Sequence, residues 1–284
     1  MAFGSLNAQH TDNIQQLTPS VLLKEGRIEF KSFTNLYSQR SVFNDNANRV
    51  DTPVRSTFMA SVQSVLYGKS NKINYGLELW IRSRRDGSRN SSPFSIFNFN
   101  SNSTSRTELA YIGPKIKIQP IESLGNFSIQ STLLFPFALD LDGSENENRI
   151  YVDDDRTLWI NQFFYDHNWQ ESWNLFLEMG MWISLDREGN SEHNKFELPV
   201  KAFLSYFASN RWTIYYSQEF WPRLGEGVIE GYFVASGLGS KFQLIQNFLE
   251  LEVLYTKFLI GKNMGAGSTY NLGLRMVMWS KQSE

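Results

Sequence analysis

Ionisable residues in this chain recur at spacings of two and four, and that spacing decides what chemistry they can do. Glu78 and Arg82, Lys115 and Lys117, Glu197 and Lys201, and Glu250 and Glu252 are such pairs, with Glu178, Glu219 and Arg275 in similar settings. On a β-strand, residues two or four apart share one face. Both signs occur in similar numbers. Charges of both signs on a buried face must pair, because an isolated buried charge is costly. The expectation is a set of ion pairs lining an interior. The formal net charge of −2 and pI near 6.0 give no basic footprint for nucleic acid.

Other reactive groups are few. The chain has no cysteine and three histidines, His10, His167 and His193. His167 has Asn168 and Ser172 nearby, and His193 has Ser191 and Asn194. A nucleophile and its base must meet within hydrogen-bond reach, and nothing in these spacings fixes that. There is no GxSxG, HExxH or glycine-rich phosphate loop. The reading is a protein that is not an enzyme and carries no cofactor. Asp140, Asp142, Asp153 and Asp154 offer oxygens for a hard cation, but without EF-hand spacing. They are expected in a solvated loop, with no metal. The run Arg82, Arg84, Arg85 and Arg89 could grip lipid phosphates.

These residues sit in a repeating two-faced pattern. "INYGLELWI" sets Ile73, Tyr75, Leu77, Leu79 and Ile81 against Asn74, Gly76, Glu78 and Trp80. "WNLFLEMGMWISL" and "FLELEVLYTKFLI" alternate in the same way, as does "TYNLGLRMVMW" near the end. A helix would space its apolar residues by three and four. About twelve strands are expected, near 25–40, 55–68, 71–85, 106–120, 124–141, 154–167, 170–187, 194–208, 211–223, 229–244, 247–262 and 266–280. Connections alternate between long and short, as in an up-and-down barrel that crosses a membrane. No run of about 18 apolar residues exists, and mean hydropathy is −0.36, which such a barrel tolerates. Residues 25–280 form the expected all-β antiparallel transmembrane barrel. Residues 9–24 are a periplasmic N-terminal segment, and 1–8 a remnant of an export signal or a disordered tail. Aromatic residues make up 15% of the chain, and Tyr67, Trp169, Tyr206 and Trp212 stand beside short turns, where an interface girdle belongs. Pro114, Pro136 and Pro199 fall inside strand patterns and should cost ladder pairing there.

The C-terminal strand resembles the sorting motif that ends bacterial outer-membrane β-barrels. Asn271, Gly273, Met276 and Met278 match its polar, glycine and hydrophobic positions, and Trp279 closes it. The tail after Trp279 departs from that pattern. "GKNMGAGSTYNLGLR" and the aromatic-rich strands are also similar to uncharacterised Bacteroidota-type barrels and to transporters of the phenol-degradation type. The resemblance implies residence in the outer membrane, with both termini periplasmic. It implies outer-membrane lipids and lipopolysaccharide as surroundings, the barrel-assembly machinery as a partner in biogenesis, and contacts with other outer-membrane proteins. The function expected is a narrow channel for small solutes. The alternatives are an accessory subunit of an outer-membrane assembly and, third, a lipid hydrolase. Phe94, Phe97 and Phe99 interrupt a polar loop, 86–105, which either constricts the lumen or offers anchors to a partner.

Overall fold

Alternate residues of a strand project to opposite faces, so a period of two lets one wall meet lipid outside and water inside. The computed structural model describes residues 14–16, 18–145, 149–170, 172–185, 195–225 and 229–279. Its strands are β1 (Arg27–Phe43), β2 (Arg49–Ser70), β3 (Ile73–Ser88), β4 (Ser105–Ile118), β5 (Phe127–Pro136), β6 (Thr157–Trp169) and β7 (Trp173–Leu185), then β8 (Lys195–Glu197), β9 (Val200–Ser209), β10 (Trp212–Leu224), β11 (Gly231–Ile245), β12 (Leu249–Lys262), β13 (Met264–Gly265) and β14 (Ser268–Trp279). β8 and β9 share one place in the wall, between β7 and β10. β13 and β14 both lie against β1. The result is a twelve-position antiparallel meander. β14 closes it against β1, from Arg27↔Trp279 to Ser38↔Ser268.

Two expected boundaries change. β2 starts at Arg49, so most of the expected long connection 41–54 is strand and only a tight turn at 44–48 remains. β5 stops at Pro136, and the chain beyond turns into the barrel mouth. The prolines act through their missing donors. Pairing between β4 and β5 skips Gly113 and Pro114, and Pro199 splits β8 from β9.

The faces follow the alternation. Leu77 and Leu272 are 60% and 53% exposed on the outer wall, while Glu78 and Glu250 are 6% and 4% exposed on the inner one. Around the short-turn rim, exposed Tyr206 and Trp212 stand with Trp169, and Tyr206 packs on Trp173 at 5.0 Å. Among the described residues no helix is long and apolar enough to cross a membrane. The helical turns among the described residues are the 3-10 turns Ile14–Gln16 and Pro93–Asn98.

Candidate functional site: the lumen and its two covers

The inner wall encloses a cavity of about 670 Å³ whose lining includes Lys31, Glu78, Arg82, Lys115, Glu178, Glu197, Lys201, Glu219, Glu250, Glu252 and Arg275. All the expected lumen residues except Lys117 are in that lining. Lys117 is also inside, lower down, with its Nζ donating to the Val21 carbonyl at 2.8 Å. The charges pair across neighbouring strands, as burial requires. Lys115 meets Glu78, Lys201 meets Glu178 at 3.3 Å, Arg223 meets Glu197 at 3.3 Å, and Lys241 meets Glu252 at 3.8 Å. Arg275 takes a partner that sequence reasoning missed. Its cross-strand neighbour on β12 is Glu250. Its Nε instead donates to Glu29 of β1 at 2.6 Å, with Lys31 on the same carboxylate at 3.2 Å. The register that closes the barrel brings Glu29 near, and that register is non-local.

Above the ion pairs lies an arc of rings. Trp80 reaches Trp182 at 5.8 Å, although four strand steps separate β3 from β7. The arc continues through Trp221 (5.1 Å), Phe233 (5.9 Å), Phe258 (4.2 Å) and Tyr37 (5.0 Å). Gly265 and Gly267 face Tyr37, where any Cβ would collide with its ring. Two indoles tie the arc to the ion pairs: Trp80 donates to Glu78 at 2.6 Å and Trp221 to Glu197 at 2.8 Å. The Arg82 guanidinium lies 4.6 Å over Trp80, a cation–π geometry.

Both ends of this space are covered. At the short-turn end, residues 14–16 and 18–26 cross the mouth inside the wall, rather than hanging free below it. Gln15 donates to Thr213 at 2.6 Å, Thr18 and Ser20 donate to Asp166, and Leu23 exchanges two hydrogen bonds with Asn74 at 2.8 and 3.0 Å. Ile14, Leu22 and Leu23 are buried there. Thr18 and Pro19 form the cavity floor. At the long-loop end, the β5–β6 connection folds inward. Leu141 and Val152 are buried, and Leu141 packs into the cluster of Trp80 and Tyr111.

The acidic stretch is therefore not a solvated loop. Asp153 pairs with Arg82 at 2.7 Å, and Asp154 with Lys195. Burial raises the Asp153 carboxyl even with Arg82 beside it. Burial also opposes ionisation of Asp154, but Lys195, Tyr151 and Arg156 together outweigh it and hold that carboxyl below its ordinary range. Asp140 and Asp142 instead accept backbone N–H groups, from Glu145 and Ser144, both at 3.0 Å. Among the described residues no acidic group is arranged to hold a metal ion.

Three further expectations resolve differently. Loop 86–105 does not enter the lumen. Its turn Pro93–Asn98 lies on the outer wall, where Ile96 is buried against Leu36, Met59 and Ile81. Phe94, Phe97 and Phe99 stay exposed, and Phe94 packs at a tilt against Tyr270, 5.5 Å between ring centres. The four-arginine run does not act together. Arg82 and Arg84 turn inward to Asp153 and Asp86, Arg85 donates to the Ser95 carbonyl, and Arg89 pairs with Asp51. His167 stacks on Trp169 at 5.6 Å on the outer side, while Asn168 accepts from Asn174 on the inner side. Ser191, His193 and Asn194 lie outside the described residues, as do residues 1–13 and the tail after Trp279. In the sorting motif, Asn271 donates to Thr269 and to the Leu254 carbonyl, and Gly273 leaves room for Glu252 and Phe33.

A closed antiparallel wall, apolar outside and charged within, defines a β-barrel of the bacterial outer-membrane kind. An outer membrane channel of Pseudomonas putida F1 matches in structure with a TM-score of 0.68 and 10% identity, over 92% of this chain and 98% of that one. The β domain of the Bordetella autotransporter BrkA matches with a TM-score of 0.57 and 11% identity, over 89% of this chain and 100% of that one. No protein family and no curated protein matches in sequence, so the Bacteroidota-type resemblance gains no support from either. The expectation that the chain is not an enzyme does not stand. A barrel shared this distantly fixes no activity, and enzyme status is open.

Proposed function

We propose that this protein is an outer-membrane channel that passes small solutes through a narrow lumen of paired charges and aromatic rings. The observation that carries this reading is the cavity of about 670 Å³, lined by those paired charges and rings, with Thr18 and Pro19 as its floor. Twelve strands are intermediate between barrels filled by side chains and open porins, and the Trp80–Trp182 contact narrows the path further. In this reading the short-turn rim and both chain ends face the periplasm. The long loops face outward. Lipid surrounds the apolar wall, and the assembly machinery reads β14 as the sorting strand. The full-length protein in planar bilayers should give small ohmic steps. Silence from both the full chain and a form lacking residues 14–23 would overturn the channel.

The placement of β14 has its own test. Leu274→Arg puts a cation on the lipid face, at a cost of about 2–4 kcal/mol near the bilayer midplane. Its heat-modifiable, assembled band should fall sharply while Leu274→Val assembles. Normal assembly of the arginine variant would show the faces wrongly assigned. A second reading, an accessory subunit of an outer-membrane assembly, is favoured by the uncovered Phe97 and Phe99. Proteins that co-purify after gentle extraction, and are lost with Phe97→Ser and Phe99→Ser, would support it.

A further inference from the structure

The outer wall carries a second group of cations that neither the lumen nor its covers use. Four neighbouring strands bring Lys257, Ser268, Ser38 and Thr57 into one row, since Lys257 is paired with Ser268, Ser268 with Ser38, and Ser38 with Thr57. Lys257 donates its Nζ to Ser268 at 3.3 Å. Arg55, from β2, donates to Ser38 at 2.9 Å. Ser38 and Ser268 are direct cross-strand neighbours, so the two cations lean toward one spot. Arg40 adds a third charge that repels Arg55. None of the three forms an ion pair among the described residues, and the Arg55 Nε has no hydrogen-bond partner there. Like charges held together without a counter-ion are unfavourable, and an anion would relieve them.

Two residues toward the short-turn end, the same wall turns aromatic. Tyr255 and Tyr270 meet at a tilt, 5.4 Å apart, and Phe94 closes over Tyr270 from the external loop. Leu272 follows, 53% exposed. Cations and hydroxyls thus stand above a strip of exposed rings and apolar side chains. That is the profile of a phosphorylated lipid, head above and chain below.

We propose that Arg55, Lys257 and Arg40 bind the phosphate of an outer-leaflet lipid, whose acyl chain lies along Phe94, Tyr270 and Leu272. The proposal rests on the wall facing the outer membrane, and its readout is separate from conductance. A barrel that conducts but retains no lipid fails this inference alone. One that retains lipid but never conducts fails the channel alone.

Full-length protein in detergent is titrated with diphosphorylated lipid A or with phosphatidylcholine, and bound lipid is counted by native mass spectrometry. Lipid A should be retained and phosphatidylcholine lost. Arg55→Gln combined with Lys257→Gln should weaken lipid A retention by about tenfold or more. Phe94→Ser should weaken it less, and Arg55→Lys should keep most of it. Lys72→Gln, an exposed ion-paired lysine at the other rim, should change nothing. Heat-modifiable migration confirms that each variant is folded. Equal retention by the double variant, equal retention of phosphatidylcholine, or displacement by millimolar inorganic phosphate would overturn the site.

Discussion

At the short-turn end the lumen is covered by the segment that leads into β1; at the long-loop end it is covered by the β5–β6 loop. Among the described contacts, the first is held by hydrogen bonds from Gln15 to Thr213, from Thr18 and Ser20 to Asp166, and from Lys117 to the Val21 carbonyl. The second is held by ion pairs, Asp153 to Arg82 and Asp154 to Lys195, with Arg106 gripping the Leu139 and Asp140 carbonyls. Two of the first cover's bonds converge on one carboxylate, Asp166, and can be lost together. A loop held by strands at both ends has little freedom to gain on release. The two covers should therefore open under different conditions and to different extents.

The largest effect should come from the short-turn cover. Removing residues 14–23 takes away the cavity floor and should raise unit conductance several-fold in planar bilayers. Asp166→Ala is the point version, since one carboxylate accepts from Thr18, Ser20 and Asn174. Bonds to a charged acceptor are each worth about 1.5–3 kcal/mol, so the variant should show frequent openings from a closed baseline. Conductance unchanged by both alterations would show that the segment is not the barrier.

The wall of this barrel was far more legible than its covers. "INYGLELWI" and "WNLFLEMGMWISL" assign their faces because period two leaves no other choice. The inward set, from Glu78 and Arg82 to Arg275, follows from those faces. Residues 14–26 have no such period. Their inward course depends on Asn74, Asp166 and Thr213, donors and acceptors on strands scattered through the sequence. Loop 86–105 was ambiguous for another reason. Phe94 and Ile96 suit a greasy constriction as well as an outer wall, and only the apolar site made by Leu36, Met59 and Ile81 decides between them. Composition hid the acidic loop as well, because its counter-charges, Arg82 and Lys195, lie on other strands.

A middle-sized effect should separate the covers by ionic strength. Arg82→Gln with Lys195→Gln removes both cations from the β5–β6 loop. Conductance should rise, but less than after loss of residues 14–23, because buried Leu141 and Val152 and the Arg106 bonds remain. Raising salt from about 0.1 M to about 1 M shortens the screening length from about 10 to about 3 Å. Conductance corrected for bulk conductivity should then increase in the wild type and stay flat in the double variant. An equal salt response in both would remove the ion pairs as the outer latch.

The smallest effect should be a response to acid, and its sign differs for the two loop carboxylates. Asp154 is held below its ordinary range when docked, because Lys195, with Tyr151 and Arg156, outweighs the burial that opposes ionisation. Its docking contribution is therefore full above the undocked value and is lost as pH falls through the docked one. Asp153 is raised by burial despite Arg82. Its docked form resists ionisation, so protonation favours docking and partly offsets the loss at Asp154. Acidification through the carboxylate range should thus loosen the outer cover only modestly. Asp154→Asn should abolish the acid-induced rise in conductance, whereas Asp153→Asn, by removing the offset, should enlarge it. Loosening that survives Asp154→Asn would place the acid sensor elsewhere, with the Asp166 carboxylate of the short-turn cover as the next group to substitute.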